Sequence, residues 1–300
     1  MQKKINYLSI LFIAIALVIA CEKEIEIDLP PSTPQYVVEA SINSRFPLLN
    51  YVFISTTIDY FKPDLSLNGV KDAEVYITPG IIVGKDTIYN IADRIKLYSV
   101  DTISKLIPAL DSILGPFSGV YMNPVDLVGK LNTPYKLEIS IANGAKIITS
   151  NTYIPKLIPI DSFEYRIEPK RENDTVDKAF FKFWFYDGPE NNNYRMAVNV
   201  NPDSILFGWG ACNSFRTFDD QFLNNGTRPF EFFSPFNQND TLNIYFSHIG
   251  RKEFLFWQSF GRADNNSGPF ATPGAVNSNV KGAIGSFTGY ALDFKQIILK

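Results

Sequence analysis

Residues 135–141, Tyr-Lys-Leu-Glu-Ile-Ser-Ile, alternate large and polar side chains, turn at Asn143-Gly144, and return through Lys146-Ile147-Ile148-Thr149-Ser150. Successive side chains of a strand point to opposite faces, so this alternation describes a strand with one face buried and one wet. Asn-Gly between two such runs supplies the two positive-φ residues that a tight hairpin turn needs. The stretch therefore predicts a β-hairpin, and its period sets the fold class for the rest of the chain.

The same signal recurs on both sides. Tyr36 to Ile42 and Tyr51 to Ser55 are β-branched and aromatic runs separated by a turn, and Ala73 to Thr78 reads as a strand stopped by Pro79-Gly80. Further strands are predicted over 161–168, 179–186, 194–201, 241–247 and 291–299, with Lys170 to Asp177 as a charged loop and Asn191-Asn192-Asn193 as a turn. Ile103, Leu106, Ile107, Leu110, Ile113 and Leu114 break the pattern. Their helical spacing predicts an inserted amphipathic helix that packs on the sheet. A second short helix is expected over 251–261, from Phe254, Trp257 and Gly261. Two prolines, Pro155 and Pro159, mark an extended connector and a domain boundary. The expectation is an all-β protein of two sandwich-like domains, 35–154 and 160–300, the first resembling an immunoglobulin or carboxypeptidase-regulatory fold, with short inserted helices.

The N-terminus carries an address. Lys3 and Lys4 precede an apolar run from Leu8 to Ala20, which is shorter than the roughly 20 residues that span a bilayer. Residues 1–20 therefore read as a signal peptide. Leu17-Val18-Ile19-Ala20-Cys21 resembles the bacterial lipobox, which makes Cys21 the lipidated first residue of the mature chain. Acyl chains hold such a residue in the membrane at about 0.8 kcal/mol for each buried methylene. Residues 21–34, acidic and then Pro-rich, read as a solvated tether. The acidic residues directly after Cys21 resemble the export signal that carries lipoproteins of Bacteroidota to the cell surface.

Composition narrows the function. Removing the signal peptide takes the formal charge from −3 to −5, which disfavours nucleic acid as a partner, because phosphate binding needs clustered cations. With Cys21 lipidated, Cys212 stands alone; it reads as a small buried residue. His248 is the single histidine, so a His-based metal cluster is excluded and no metal or cofactor is expected. There is no G-x-S-x-G elbow, and Gly282-Ala283-Ile284-Gly285 lacks the lysine of a phosphate loop. Asp219, Asp220 and Glu231 are carboxylates close in sequence, the raw material of a glycosidase, which needs two facing acids. Asn173-Asp174 and 237–240 (Asn-Gln-Asn-Asp) lack regular calcium-ligand spacing and read as turns.

One region is unusually aromatic: fifteen of the fifty-six residues from Ile205 to Phe260. Either these rings are the core of a sandwich, or some form a contact surface for a receptor, glycan or peptide. Trp209, with Phe207, Phe215 and Phe218, is the candidate contact group, because Gly208 and Gly210 flank the tryptophan.

The mature chain also resembles domain-of-unknown-function family 4249, a group of Bacteroidota lipoproteins. The resemblance rests on Cys21 through Pro30, on Tyr36-Val37-Val38-Glu39-Ala40, and on Val70 to Val75. It continues through the hairpin at Tyr135, Phe218-Asp219-Asp220 with Phe222, and Tyr245-Phe246 ahead of Trp257. The end, Gly268-Pro269-Phe270 through Ser278-Asn279-Val280 to Gly285-Ser286-Phe287, is similar to the family's C-terminal signature. The resemblance implies a surface or periplasm-facing lipoprotein, often encoded near TonB-dependent outer-membrane receptors, with no assigned chemistry. Together these readings predict a non-enzymatic surface lipoprotein that binds a ligand or serves a TonB-dependent transporter. The alternatives are a polysaccharide-acting hydrolase and a structural or adhesive module.

Overall fold

The computed structural model describes residues 33–58, 69–106, 118–201, 214–220, 226–231, 236–264 and 274–300. The signal peptide, Cys21 and nearly all of the tether lie outside these residues. So do the second half of the inserted amphipathic segment and Phe207, Trp209 and Cys212. Pro34–Lys300 forms one compact unit, and no helix among the described residues is long and apolar enough to cross a membrane.

The first half contains β1 (Tyr36–Asn43), β2 (Tyr51–Thr56), β3 (Glu74–Val83), β4 (Asp86–Tyr89), β5 (Ile95–Ser99), helix α1 (Val100–Leu106), β6 (Val120–Met122), β7 (Thr133–Ile141) and β8 (Lys146–Ile154). The β7–β8 hairpin pairs Ile141 with Lys146, and Asn143 and Gly144 take φ of 54° and 93°, as the Asn-Gly turn requires. Strand β5 pairs with β6 through Tyr98 and Ser99 and with β3 through Ile95 to Leu97, so the sheet turns back on itself there. Val38, Ala40, Ile42, Val52 and Ile54 then pack against Leu137, Ile139, Ile141 and Ile148 to make the first core. Each fully buried aliphatic side chain there contributes roughly 1.5–3 kcal/mol.

Pro79-Gly80 does not stop β3, contrary to the sequence reading. The strand runs on to Val83, and the Pro-Gly pair marks a change of partner: β7 pairing ends at Pro79, and β4 pairing begins at Gly80. A proline, which lacks the N–H for a continuous ladder, is tolerated where the ladder changes hands.

The second half contains β9 (Ile160–Glu168), β10 (Lys178–Asp187), β11 (Asn193–Val200), β12 (Ser214–Asp219), β13 (Gly226–Glu231), β14 (Phe236–Asn237), β15 (Thr241–Ile249), helix α2 (Arg251–Asp264), β16 (Val280–Lys281) and β17 (Ile284–Ile298). Strands β9, β10, β13 and β14 form a four-stranded sheet with β10 in its middle. Its inward residues Ala179, Phe181, Phe183 and Phe185 pack on Tyr194, Met196, Val198, Leu242, Ile244 and Phe246 of β11 and β15, making a second core. Ring pairs such as Phe183–Phe246 at 5.2 Å and Phe185–Tyr194 at 5.0 Å, both edge-on, sit at favourable aromatic spacing.

The boundary between the two cores falls at the Pro155–Pro159 connector, yet the last strand belongs to both. Residues 284–290 of β17 run parallel to β1, and 291–298 run antiparallel to β15. The strand starts seven residues earlier than its sequence suggests. Helix α2 covers its far side: Phe254 joins Tyr245, Tyr290 and Leu292 in a third apolar cluster, and Trp257 Nε1 donates to Thr288 Oγ1 at 3.1 Å.

Buried and half-buried polar groups fix this closure. Asn279 copies a strand partner, accepting from Phe287 N at 2.8 Å and donating to Phe287 O at 3.0 Å. Glu253, at the start of α2, accepts from Thr152 Oγ1 at 2.8 Å, and Thr152 Oγ1 accepts in turn from Gly289 N at 2.8 Å. Burial pushes the Glu253 carboxyl above its usual range. Ser278-Asn279 and Gly285-Ser286-Phe287 are thus a clasp holding β17 in place.

Gly285 has φ of 144°, and a Cβ there would sit 1.8 Å from the Val38 carbonyl oxygen. Gly285→Ala is expected to cost about 3 kcal/mol or more in urea unfolding. Gly84→Ala, in open space at φ of 64°, is expected to cost only about 1 kcal/mol.

Candidate functional site

The outward face of the four-stranded sheet is the first candidate. Residues of β10 alternate strictly in burial, and Phe180, Lys182, Trp184 and Tyr186 point away from the second core while Phe181, Phe183 and Phe185 fill it. Across the ladder Phe180 faces Arg166, Lys182 lies between Glu164 and Glu231, and Trp184 lies between Ser162 and Pro229. The Arg166 guanidinium sits 4.9 Å from the Phe180 ring centre and the Lys182 ammonium 5.1 Å from that of Trp184. Such cation–π contacts hold rings in place. Lys182 also pairs with Glu231 at 2.8 Å, and Arg166 with Glu168 at 3.1 Å. A depression of about 390 Å³ opens on this face, lined by Glu164, Tyr165, Arg166, Phe180, Phe181, Lys182 and Glu231.

The second candidate is the ribbon formed by the end of β3 and by β4. Ile81 pairs with Ile88, Ile82 with Thr87 and Val83 with Asp86. Ile81, Ile82, Val83, Ile88 and the following Ile91 are 52–80% exposed. The Tyr89 ring lies over Gly80 and stiffens the base, since a Cβ on that glycine would come within 2.7 Å of it. Two-stranded ribbons are marginal in water on their own, and this one carries aliphatic side chains on both faces.

Of the residues singled out from the sequence, Cys21, Phe207 and Trp209 lie outside the described residues, and Phe215 is placed only as backbone in β12. Phe218 turns inward, stacked at 5.3 Å on Tyr194 and 4.7 Å on Phe230. Together with Phe230 and Phe236 it packs against the second core, which commits its ring to the interior. The three neighbouring carboxylates also have partners. Asp219 pairs with Arg251 at 2.9 Å and Glu231 with Lys182, while Asp220 is buried. His248 packs beside Tyr194, its Nδ1 lies 3.0 Å from the Lys156 carbonyl, and burial pushes its pKa down. The 237–240 stretch is a hydrogen-bonded turn in which Asp240 accepts from Asn237 N and Asn201 Nδ2, each at 2.8 Å. Among the described residues no three His, Cys, Asp or Glu side chains gather as metal ligands.

Sequence reasoning missed two features. The outward ring row was hidden because 178–187, Lys-Ala-Phe-Phe-Lys-Phe-Trp-Phe-Tyr-Asp, has aromatics at both parities; the lysines at 178 and 182 were the signal for the wet face. The second is a buried carboxyl pair. Asp187 is 1% and Asp220 4% exposed, at the ends of β10 and β12. Tyr194 Oη donates to Asp187 Oδ1 at 2.5 Å and Asn192 N to Asp220 Oδ2 at 2.7 Å. The remaining oxygens, Asp187 Oδ2 and Asp220 Oδ1, have no donor and are sealed from solvent. Burial raises the Asp220 carboxyl above its usual range, opposed by Asn192 N–H and reinforced by the charge and hydrogen bond of Asp187. One proton on Asp220 converts the two orphan oxygens into a donor and an acceptor.

Because the folded value for Asp220 lies above the unfolded one, this stabilisation is complete below about pH 4 and is lost as pH rises through the folded value. Asp220→Asn, which stays neutral, removes that loss. The stability difference between wild type and variant, from urea unfolding across a pH series, is expected to fall with rising pH in that window, by at most about 1.4 kcal/mol per unit. A flat difference contradicts the raised Asp220 carboxyl.

Comparison with known proteins completes the description. A structural search returns, among its matches, the crystal structure of a DUF3823 family protein from Bacteroides uniformis, at 7% identity and a TM-score of 0.27, covering 90% of this chain and 100% of that one. A search of curated proteins returns no match. The profile of the domain of unknown function DUF4249 matches residues 22–296, nearly the whole sequence after Cys21, and the chain belongs to the DUF4249 family.

Proposed function

We propose that this protein is a lipid-anchored lipoprotein of the outer membrane, exposed at the cell surface, that binds rather than catalyses and serves as an accessory of a TonB-dependent transporter. The lipobox-like Leu17 to Cys21 and the acidic stretch after it support the anchor and its location. The observation that carries the partner-binding reading is the β3–β4 ribbon. Exposed contiguous aliphatic surface on a protein that must stay soluble marks a protein contact. The edge of β4, hydrogen-bonded on its β3 side, fits addition of a partner strand, in which backbone bonds give affinity and flanking side chains give specificity. Binding rather than hydrolysis is supported by the carboxylates near the aromatic region, since Asp219 and Glu231 are paired with cations and Asp220 is sealed from solvent.

The test is an affinity pull-down of the lipidated protein from its own gently solubilised membranes, with protease shaving of intact cells alongside. One outer-membrane receptor is expected to co-purify, and the body is expected to be cleaved on intact cells. The Ile81→Ser/Ile88→Ser double variant should recover about tenfold less receptor at an unchanged melting temperature, because both side chains already face water. Recovery of the lipoprotein alone, with the body protected from protease, contradicts the reading.

A further inference from the structure

The outward face of the four-stranded sheet carries an inference that goes beyond the accessory role and stands without it. We infer that this face is a binding site for a neutral polysaccharide chain, with Phe180, Trp184 and Tyr186 as the stacking row and Lys182, Glu164, Arg166 and Glu231 as hydrogen-bonding partners for sugar hydroxyls.

Alternate residues of a strand lie about 6.6–7 Å apart, so the row from Phe180 to Tyr186 extends along roughly 20 Å of β10. That length suits several linked sugar units better than a single small molecule. Charge decides the class of ligand. The outward positions of β9, β10 and β13 place Arg166, Lys178 and Lys182 among Glu164, Glu168 and Glu231, and Asp174 pairs with Lys178 at 3.8 Å, so neither sign is in marked excess. A polyanion would need an excess of cations, and a polycation the reverse. A lipid or an apolar peptide would need a continuous greasy lining, whereas four of the seven residues lining the depression are charged. A neutral sugar matches both halves of this surface. Its C–H face stacks on an aromatic ring, while its hydroxyls donate to carboxylates and accept from ammonium and guanidinium groups. The row is also fixed before any ligand arrives. Its strand is nailed down from behind by Phe181, Phe183 and Phe185, and its rings are held by Arg166 and Lys182. Groups ordered in advance lose less entropy on binding.

The probe experiment is native affinity electrophoresis of the unlipidated mature chain, residues 22–300. The gels contain dextran, pullulan, laminarin, galactomannan or xyloglucan, with heparin as the polyanion. At least one neutral polysaccharide is expected to retard the wild type, and heparin is not. Trp184→Ala is expected to weaken retardation at least tenfold, and Lys182→Met, which removes the charge that steadies Trp184 but no ring, at least threefold. Ile81→Ser, on the ribbon, should bind as wild type, which separates this site from the receptor contact. Failure of all five neutral polysaccharides to retard the wild type overturns the inference. So does retardation by heparin alone, or undiminished retardation of a folded Trp184→Ala/Tyr186→Ala variant.

Discussion

A single strand ties this molecule together. Residues 284–298 supply a parallel neighbour for β1 in their first half and an antiparallel neighbour for β15 in their second, so both apolar cores close on one stretch of backbone. Residues 285–293 are buried throughout, which means that every N–H and C=O there must find a partner inside the protein. The ladder supplies most of them. Where the strand must enter against Val38, only glycine fits, and Asn279, Thr152 and Glu253 supply the side-chain bonds around it. Leaving a buried polar group unpaired costs about 1–3 kcal/mol, so the clasp is costly to break in any one part. Ser278-Asn279 and Gly285-Ser286-Phe287 thus form a structural joint.

Two outward features project from this joined body, and they differ in chemistry. The ribbon at Ile81 to Ile88 is aliphatic on both faces and ends a strand that is buried further down. The β10 face is mixed, rings alternating with balanced charges, on a sheet whose other side is packed solid. One suits a protein surface and the other a polar chain, and their separate residues allow each to be disabled alone. The buried polar groups are of another kind. The Asp187–Asp220 pair joins the end of β10 to the end of β12, making Phe218-Asp219-Asp220 a second structural joint: one ring in the core, one carboxylate on Arg251, and one buried carboxyl whose pKa burial raises.

Much of the fold was legible because its signals are local. Asn143-Gly144 fixes the β7–β8 turn through φ alone, and the alternation of 135–141 fixes which face is buried. Phe254 and Trp257 at helical spacing announced α2. What escaped was non-local. Pro79-Gly80 reads as a stop in any local scheme, and only the register shows that β3 exchanges β7 for β4 there. The first half of β17 is rich in glycine and small polar residues, poor strand formers that are held by β1 on one side. In β10 both parities are aromatic, so which row faces water depends on which sheet covers it. Asp187 and Asp220 meet across two strands, with nothing in the sequence to couple them. The composition of the aromatic region leaves core and contact surface open and puts Phe218 in the candidate contact group; the structure instead packs Phe218, with Phe230 and Phe236, into the second core.

If β17 makes the two cores one cooperative unit, differential scanning calorimetry of residues 22–300 shows a single transition whose calorimetric and van't Hoff enthalpies agree. Two resolved transitions, or a calorimetric enthalpy well above the van't Hoff value, would show that the cores melt independently and that the shared strand does not couple them.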